Sequence, residues 1–325
     1  MKDPKSGEII MLNNMKIGVV IPAYKVQSTI RNVILSLPTN IDHIIVVDDK
    51  CPDASGQEAK KITDPRIDVI YCERNLGVGG ATISGYKQAL ALECDIIIKM
   101  DGDGQMDAGF IDQLINPIIH GEADYTKGNR FMAPSILQVM PKIRLFGNSV
   151  LSFLVKFASG YWNVMDPTNG YTAISKDILA ELKLNKISER YFFESDMLIN
   201  LNIINAVVKD IKIPSKYGDE GSSLNVWKAI IQFPLKLLRG FIKRIFLKYF
   251  IYDFNMASVY ILLGVPMFTL GILFGLIEWR DSAIHNTMKP LGEIMLLTLS
   301  IVLSFQMLLQ AINIDISLTP RTKEK

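Results

Sequence analysis

The chain has 325 residues, enough for one large domain or two small ones, and 35 Lys+Arg against 33 Asp+Glu leave a formal charge of +2, so no global field argues for a nucleic-acid partner. Its three cysteines, Cys51, Cys72 and Cys94, have no metal-ligand spacing, and an odd, unpatterned set fits a reducing compartment rather than a disulfide framework. The mean hydropathy of +0.23 is high for a soluble enzyme, and the apolar excess lies at the C-terminal end.

Residues 1–15 are polar and lack an apolar core segment, so no cleavable signal is expected. From Lys16 to about Pro214, β-branched runs at Ile17–Ile21, Ile44–Val47, Ile67–Tyr71 and Asp95–Met100 alternate with amphipathic segments such as Thr29–Leu37 and Gly80–Leu92. This rhythm predicts βαβ units and a largely parallel sheet covered on both faces. Ligands of such sheets sit beyond the carboxyl ends of the strands.

Each predicted strand end carries polar or turn-forming residues. The first runs into Pro22-Ala23-Tyr24, where proline is expected to stop the ladder. The second ends in Asp48-Asp49, one of which is expected to accept hydrogen bonds from a nucleotide base or ribose. After the third comes Asn75-Leu76-Gly77-Val78-Gly79-Gly80-Ala81, whose glycines would let backbone N–H groups face an anion. A dinucleotide fingerprint would place its glycines after the first strand, so an NAD enzyme is discounted. The fourth delivers Asp101-Gly102-Asp103-Gly104-Gln105. Hard cations such as Mg²⁺ and Mn²⁺ take oxygen ligands and bind through one or two carboxylates plus substrate phosphates, and this turn supplies such a donor set.

Further along, Val226–Phe250 places Lys228, Lys236, Arg239 and Lys243 opposite Leu, Ile and Phe, with Pro234 near its start. That is a basic amphipathic helix suited to anionic headgroups at a membrane interface. The runs Phe254–Ile277 and Ile294–Ile314 carry no charge, and each exceeds the ~20 residues needed to cross a bilayer. Arg239, Lys243, Arg244 and Lys248 precede the first run and Arg321, Lys323 and Lys325 follow the second, against Arg280 and Lys289 in the connecting loop. The positive-inside rule then puts both flanks, and the catalytic portion, in the cytoplasm.

The ordered set Ile-Pro-Ala-Tyr, Val-Asp-Asp, Asn-x-Gly-x-Gly-Gly-Ala and Asp-x-Asp-x-Gln resembles the nucleotide-sugar-binding half of family 2 glycosyltransferases with a GT-A fold, over roughly residues 16–225. Gly128-Asn129-Arg130-Phe131, Arg144 with Gly147-Asn148, Thr168-Asn169-Gly170-Tyr171 and Phe193-Glu194-Ser195-Asp196 extend the likeness. With two C-terminal spans, the chain is similar to the polyisoprenyl-phosphate hexosyltransferases, the dolichyl-phosphate mannose synthase group.

The resemblance implies an α/β GT-A domain with a Rossmann-like, mostly parallel sheet over residues 1–225, a juxtamembrane amphipathic region at 226–253, a two-helix transmembrane hairpin at 254–314 and a cytoplasmic tail at 315–325. It implies a metal site of Asp101, Asp103 and Gln105 for Mg²⁺ or Mn²⁺, and a nucleotide frame of Pro22, Ala23, Tyr24, Asp48, Asp49, Asn75, Gly77, Gly79, Ala81 and Asp101. Arg130 and Arg144 are candidates for the acceptor phosphate, because guanidinium forks match phosphate. Glu194 and Asp196, with Arg130, are the catalytic candidates. Two departures stand out: Lys25-Val26 where relatives often carry Asn-Glu after the tyrosine, and Ser215-Lys216-Tyr217-Gly218 where the group carries Arg-x-Tyr-Gly.

The implied reaction is inverting transfer of one hexose from a UDP- or GDP-sugar to a polyprenyl phosphate at the cytoplasmic membrane face, leaving homo-oligomer formation open. The competing acceptor is a hydroxyl of a lipid-linked glycan or surface polysaccharide. A hydroxyl needs a general base at Glu194 or Asp196, whereas a lipid monophosphate is already anionic. A catalytically silent scaffold is disfavoured by intact Asp101, Asp103 and Gln105.

Overall fold

The computed structural model describes residues 15–132, 142–213 and 226–321. The chain divides by its internal contacts into two units, one ending at Phe241 and rejoined from Pro320, the other spanning Ile242–Thr319.

The first unit opens with β1 (Ile17–Ala23), α1 (Ile30–Leu35), β2 (His43–Asp48), α2 (Ser55–Lys60), β3 (Ile67–Tyr71), α3 (Gly77–Ala91) and β4 (Ile96–Lys99), as the alternating pattern predicts. Pairing is parallel across β3-β2-β1-β4. Alternate strand residues fill two cores. Ile17, Val19, Ile21, Ile44, Val46, Ile96 and Ile98 pack with Ile30, Val33, Ile34 and Leu114 on one face. On the other, α3 approaches so closely that a Cβ on Gly85 would press on Val20 and lie 3.1 Å from Val47.

Pro22 stops the ladder on one side only. Pairing of β1 with β4 ends at Val20↔Lys99, while pairing with β2 runs on through Pro22↔Val47 to Ala23↔Asp48. The Val20 carbonyl accepts from Met100 N–H on the β4 side and the Ala23 carbonyl from Asp49 N–H on the β2 side. Groups alternate along a strand, so the donor that proline lacks would have faced β4.

Next come α4 (Ile111–Ile119), β5 (Tyr125–Asn129), α5 (Lys142–Ser159), β6 (Thr172–Ser175), α6 (Lys176–Glu181), α7 (Phe193–Ile203) and β7 (Val208–Lys212). They complete a seven-stranded sheet ordered β3-β2-β1-β4-β6-β5-β7. Strand β6 runs antiparallel to both β4 and β5, and β5 pairs parallel with β7. The sheet is therefore mixed, and mostly parallel, as expected of the resemblance.

Helix α8 (Val226–Phe246) contains Pro234 and carries the chain across the unit boundary into a π-helical turn, Leu247–Tyr252. The second unit is a hairpin of α9 (Met256–His285) and α10 (Leu291–Ser317). Both are long and apolar enough to cross a membrane. The Arg244 guanidinium grips Asp315 with N–O distances of 2.6 and 3.0 Å, and the Tyr249 hydroxyl donates to the same carboxylate at 2.6 Å. Asn255 and Ser258 form a capping box that starts α9.

Substitution of Gly85 by alanine should overpack the α3–sheet contact and cost about 1–3 kcal/mol. Thermal melting of the detergent-solubilised chain should fall by several degrees relative to wild type; an unchanged melt would contradict the packing described.

Candidate active site

Register alone gathers the polar motifs on one edge of the sheet. The parallel strands β1, β2, β3 and β4 all end there. Because β6 runs the opposite way, Thr172 at its start pairs with Lys99 at the end of β4. Lys127, near the end of β5, pairs with that same Thr172. The turn before β6 and the segment after β5 thus meet the acidic turn after β4.

At the centre is a charge that sequence reasoning left unassigned. Lys99 is 1% exposed, and its Nζ lies 2.8 Å from Asp101 Oδ1 and 3.4 Å from Glu194 Oε1. Burial alone would lower this ammonium, but Asp101 and Glu194 beside it raise it above the ordinary lysine range. Gly170 closes the pocket from the β6 side: a Cβ there would strike Lys99 Nζ and lie 2.9 Å from Asp101 Oδ2. The buried Lys127 ammonium in turn donates to the Asn169 carbonyl. Burial pushes Lys127 down to about 8, against the opposing pull of Glu194 and Asp166.

The donor set fits a hard divalent cation. Asp101 keeps Oδ2 beside the space that Gly170 leaves, Asp103 is partly exposed, and the Gln105 side chain is exposed. Among the described residues no cluster of three or more His, Cys, Asp or Glu could hold a metal by itself, so substrate phosphate would have to complete the shell.

Glu194 and Asp196, two residues apart, have different surroundings. Glu194 faces Lys99. Asp196 is buried; its Oδ2 accepts from Ser188 N–H and Ser188 Oγ, both at 2.8 Å, and its Oδ1 accepts from Asn200 Nδ2 at 3.0 Å. It pins the segment entering α7.

That segment packs against the glycine loop. A Cβ on Gly79 would lie 2.6 Å from both Phe193 Cβ and the Ser188 carbonyl, and Gly80 N–H donates to the Glu189 carbonyl at 2.7 Å. The N–H groups of Leu76 and Gly77 go to the two oxygens of Asp49, at 2.6 and 2.7 Å. The Leu76, Gly77 and Gly80 donors are thus engaged within the protein, and Gly79 and Gly80 let Ser188–Phe193 pack closely, with Gly77 at φ +82°. Ala81 is fully buried behind them.

Asp48 and Asp49 are likewise stapled to backbone. Asp48 accepts from Cys51 N–H at 2.7 Å and Gly56 N–H at 2.8 Å, and Asn75 Nδ2 donates to the Asp49 carbonyl at 3.2 Å. After the tyrosine, Lys25 adopts φ +59° and its N–H reaches Cys51 Sγ. Of the first strand's end, Pro22 is partly buried, Ala23 is buried and Tyr24 is exposed.

Arg130 forms a two-point pair with the buried Asp166, Nε to Oδ2 at 2.7 Å and NH2 to Oδ1 at 3.0 Å. Arg144 sits in the first turns of α5, and its side chain lies outside the described residues, as does the segment Ser215–Gly218.

Lys99, Lys127, Asp166 and Ser188 are the residues that sequence reasoning missed, and Gly170 entered only as part of a motif, without a role. One signal was present for Lys99: a lone charge in the run Ile96-Ile97-Ile98 must be paired if that strand is buried.

The model of "Glycosyl transferase family 2" matches residues 18–183. The "UDP-N-acetylglucosamine--dolichyl-phosphate N-acetylglucosaminyltransferase" of Methanococcus voltae is 34% identical over 60% of this chain and 85% of its own length. An "Undecaprenyl-phosphate mannosyltransferase" from Micrococcus luteus is 28% identical over 64% of this chain and 87% of its own. Among solved structures, glucosyl-3-phosphoglycerate synthase of Mycobacterium tuberculosis, in complex with Mn²⁺, UDP and glucosyl-3-phosphoglycerate, superposes with a TM-score of 0.54 at 19% identity, covering 72% of this chain and 81% of that one. That likeness bears on the fold. The sheet order, the acidic turn and these matches converge: the chain belongs to glycosyl transferase family 2 and is a glycosyltransferase with a GT-A-like fold.

Proposed function

We propose that the protein transfers a single hexose, with inversion, from a UDP- or GDP-sugar to a polyprenyl phosphate at the cytoplasmic face of a membrane. The observation that carries this reading is the acidic turn at the end of β4, backed by buried Lys99, in a chain whose relatives are named for sugar transfer to polyprenyl phosphates. The Methanococcus relative makes UDP-N-acetylglucosamine the first donor to try. The basic flanks of the hairpin support the cytoplasmic orientation.

In this reading Pro22, Ala23, Tyr24 and Asn75 frame the nucleotide, on loops that Asp48 and Asp49 hold in place. Asp101 and Asp103, with Gln105 alongside, hold a divalent cation that would offset charge on the departing nucleoside diphosphate. Lys99 fixes the Asp101 carboxylate for that task. Asp166 aims the Arg130 fork, which with Arg144 receives the acceptor phosphate. A phosphate oxygen then attacks the anomeric carbon on the face opposite the leaving group, and alignment does the work that a base would do for an alcohol.

Asp196 already accepts three hydrogen bonds, which supports Glu194 as the residue to test first for a general base. If the acceptor is a phosphate, Glu194→Gln should keep kcat within about tenfold of wild type, whereas a hydroxyl acceptor needing this base would bring a loss of about 10²–10⁴. Asp196→Ala should lower the melting temperature under either reading. Purified protein with Mn²⁺, labelled donor and polyprenyl phosphate should form a mild-acid-labile glycolipid; no such product from either UDP- or GDP-sugars would falsify the proposal.

A further inference from the structure

Helix α10 carries two lengthwise seams on opposite sides. Ile301, Ser304, Leu308, Ala311 and Asp315 recur at alternating spacings of three and four, and this seam is filled. A Cβ on Gly271 of α9 would lie 2.9 Å from Ile301 and one on Gly264 3.2 Å from Leu308, while Ser304, Ala311 and Asp315 are buried. Half a turn away, Leu296, Leu299, Leu303, Gln306, Gln310 and Asn313 recur at the same alternating spacings. All of these are exposed, the leucines at 68, 54 and 49%. Alternation of three and four is the heptad pattern that keeps one stripe of a helix against a partner helix.

The amides say what kind of partner fits. Within the charge-free run Ile294–Ile314, the exposed residues off this seam are Ile294, Met295, Thr298, Val302, Phe305 and Leu309. The hydroxyl among them, that of Thr298, donates to the Ile294 carbonyl of its own helix at 2.8 Å. The outward-facing amides of the span are thus gathered on one stripe. A primary amide has two donors and an acceptor, more than the paired backbone of its own helix absorbs, and hydrocarbon offers no partner. Gln306 lies within one helical turn of Ser304, the middle residue of α10. In a bilayer that is roughly 10 Å from either interface, beyond the reach of its side chain.

Self-complementarity selects the partner. Copies of one chain insert in one orientation, so two such seams meet in parallel about a two-fold axis along the membrane normal, each residue near the level of its own counterpart. Leucine then meets leucine in one half of the span and amide meets amide in the other. An amide both donates and accepts, so identical amides satisfy each other. We propose that this seam of α10 pairs with the same seam of a second copy, giving a parallel dimer whose register is held by the Gln306 and Gln310 layers. The proposal rests on the preceding reading only in taking α10 to cross a membrane, and it does not depend on the donor or the acceptor.

The test is oxidative crosslinking of the full chain in native membranes, with a cysteine introduced as Leu299→Cys or Leu303→Cys on the seam, or as Phe305→Cys on α10 or Leu273→Cys on α9 at exposed positions off it. Wild type, with Cys51, Cys72 and Cys94, sets the background. Both seam variants should give a disulfide-linked dimer on non-reducing gels, and the off-seam variants no more than wild type. Equal dimer at Phe305→Cys and Leu303→Cys, no dimer at either seam position, or a crosslink to a different protein in its place overturns the proposal. In liposomes, Gln306→Leu/Gln310→Leu, a change that suits a span and leaves the α9 seam untouched, should weaken dimerisation about tenfold or more, read as the dilution in lipid that halves energy transfer between fluorescent copies. Unchanged dilution behaviour also overturns it. Release of the chain by alkaline carbonate would contradict the membrane-crossing reading and the seam with it, whereas a carbonate-resistant chain without seam crosslinks overturns the seam alone.

Discussion

A lysine ammonium placed inside a protein without partners would be prohibitively costly, and Lys99 is almost wholly buried at the end of β4. It is tolerated because Asp101 and Glu194 flank it. The converse holds as well: two carboxylates flanking one site would repel each other without a cation between them. The acidic turn, the start of α7 and the turn before β6 thus depend on one shared charge. Gly170 is the steric counterpart, since any larger residue would displace the ammonium or Asp101. Removing one member of such a buried pair leaves an uncompensated charge, typically a loss of about 3–5 kcal/mol.

A second constraint runs through Asp196, Ser188 and the glycines of α3. Asp196 fixes Ser188, the Ser188–Phe193 segment lies against Gly79 and Gly80, and Asp49 holds Leu76 and Gly77 from the other side. The loops after β2 and β3 and the entry to α7 are thereby joined into one scaffold around the sheet edge. Asp49 and Asp196 act as fasteners of that scaffold, which preorganises the groups around the sheet edge.

The strands and helices of the first half were legible because hydrophobic periodicity is local: β3 matches its predicted span, and β1, β2 and β4 differ by a residue or two at their ends. The family resemblance and the two long apolar helices were equally plain. The antiparallel course of β6 was not, because strand direction is a tertiary property that no run of residues records. That reversal brings Gly170 and Lys127 to Lys99, so the innermost part of the site was hidden along with it. The glycine loop illustrates the same limit: its composition signals close approach, but whether an anion or a neighbouring peptide makes that approach depends on residues more than a hundred positions away.

The central claim is that the turn Asp101–Gln105, fixed by Lys99, presents its oxygens to a cation bound to a nucleotide-sugar pyrophosphate. The most direct measurement is the anomalous scattering of manganese in crystals of the protein grown with donor. The account predicts a peak about 2 Å from oxygens of Asp101 and Asp103, bridged to the pyrophosphate. A donor bound in the cleft with manganese absent from that turn, or placed elsewhere, would contradict it.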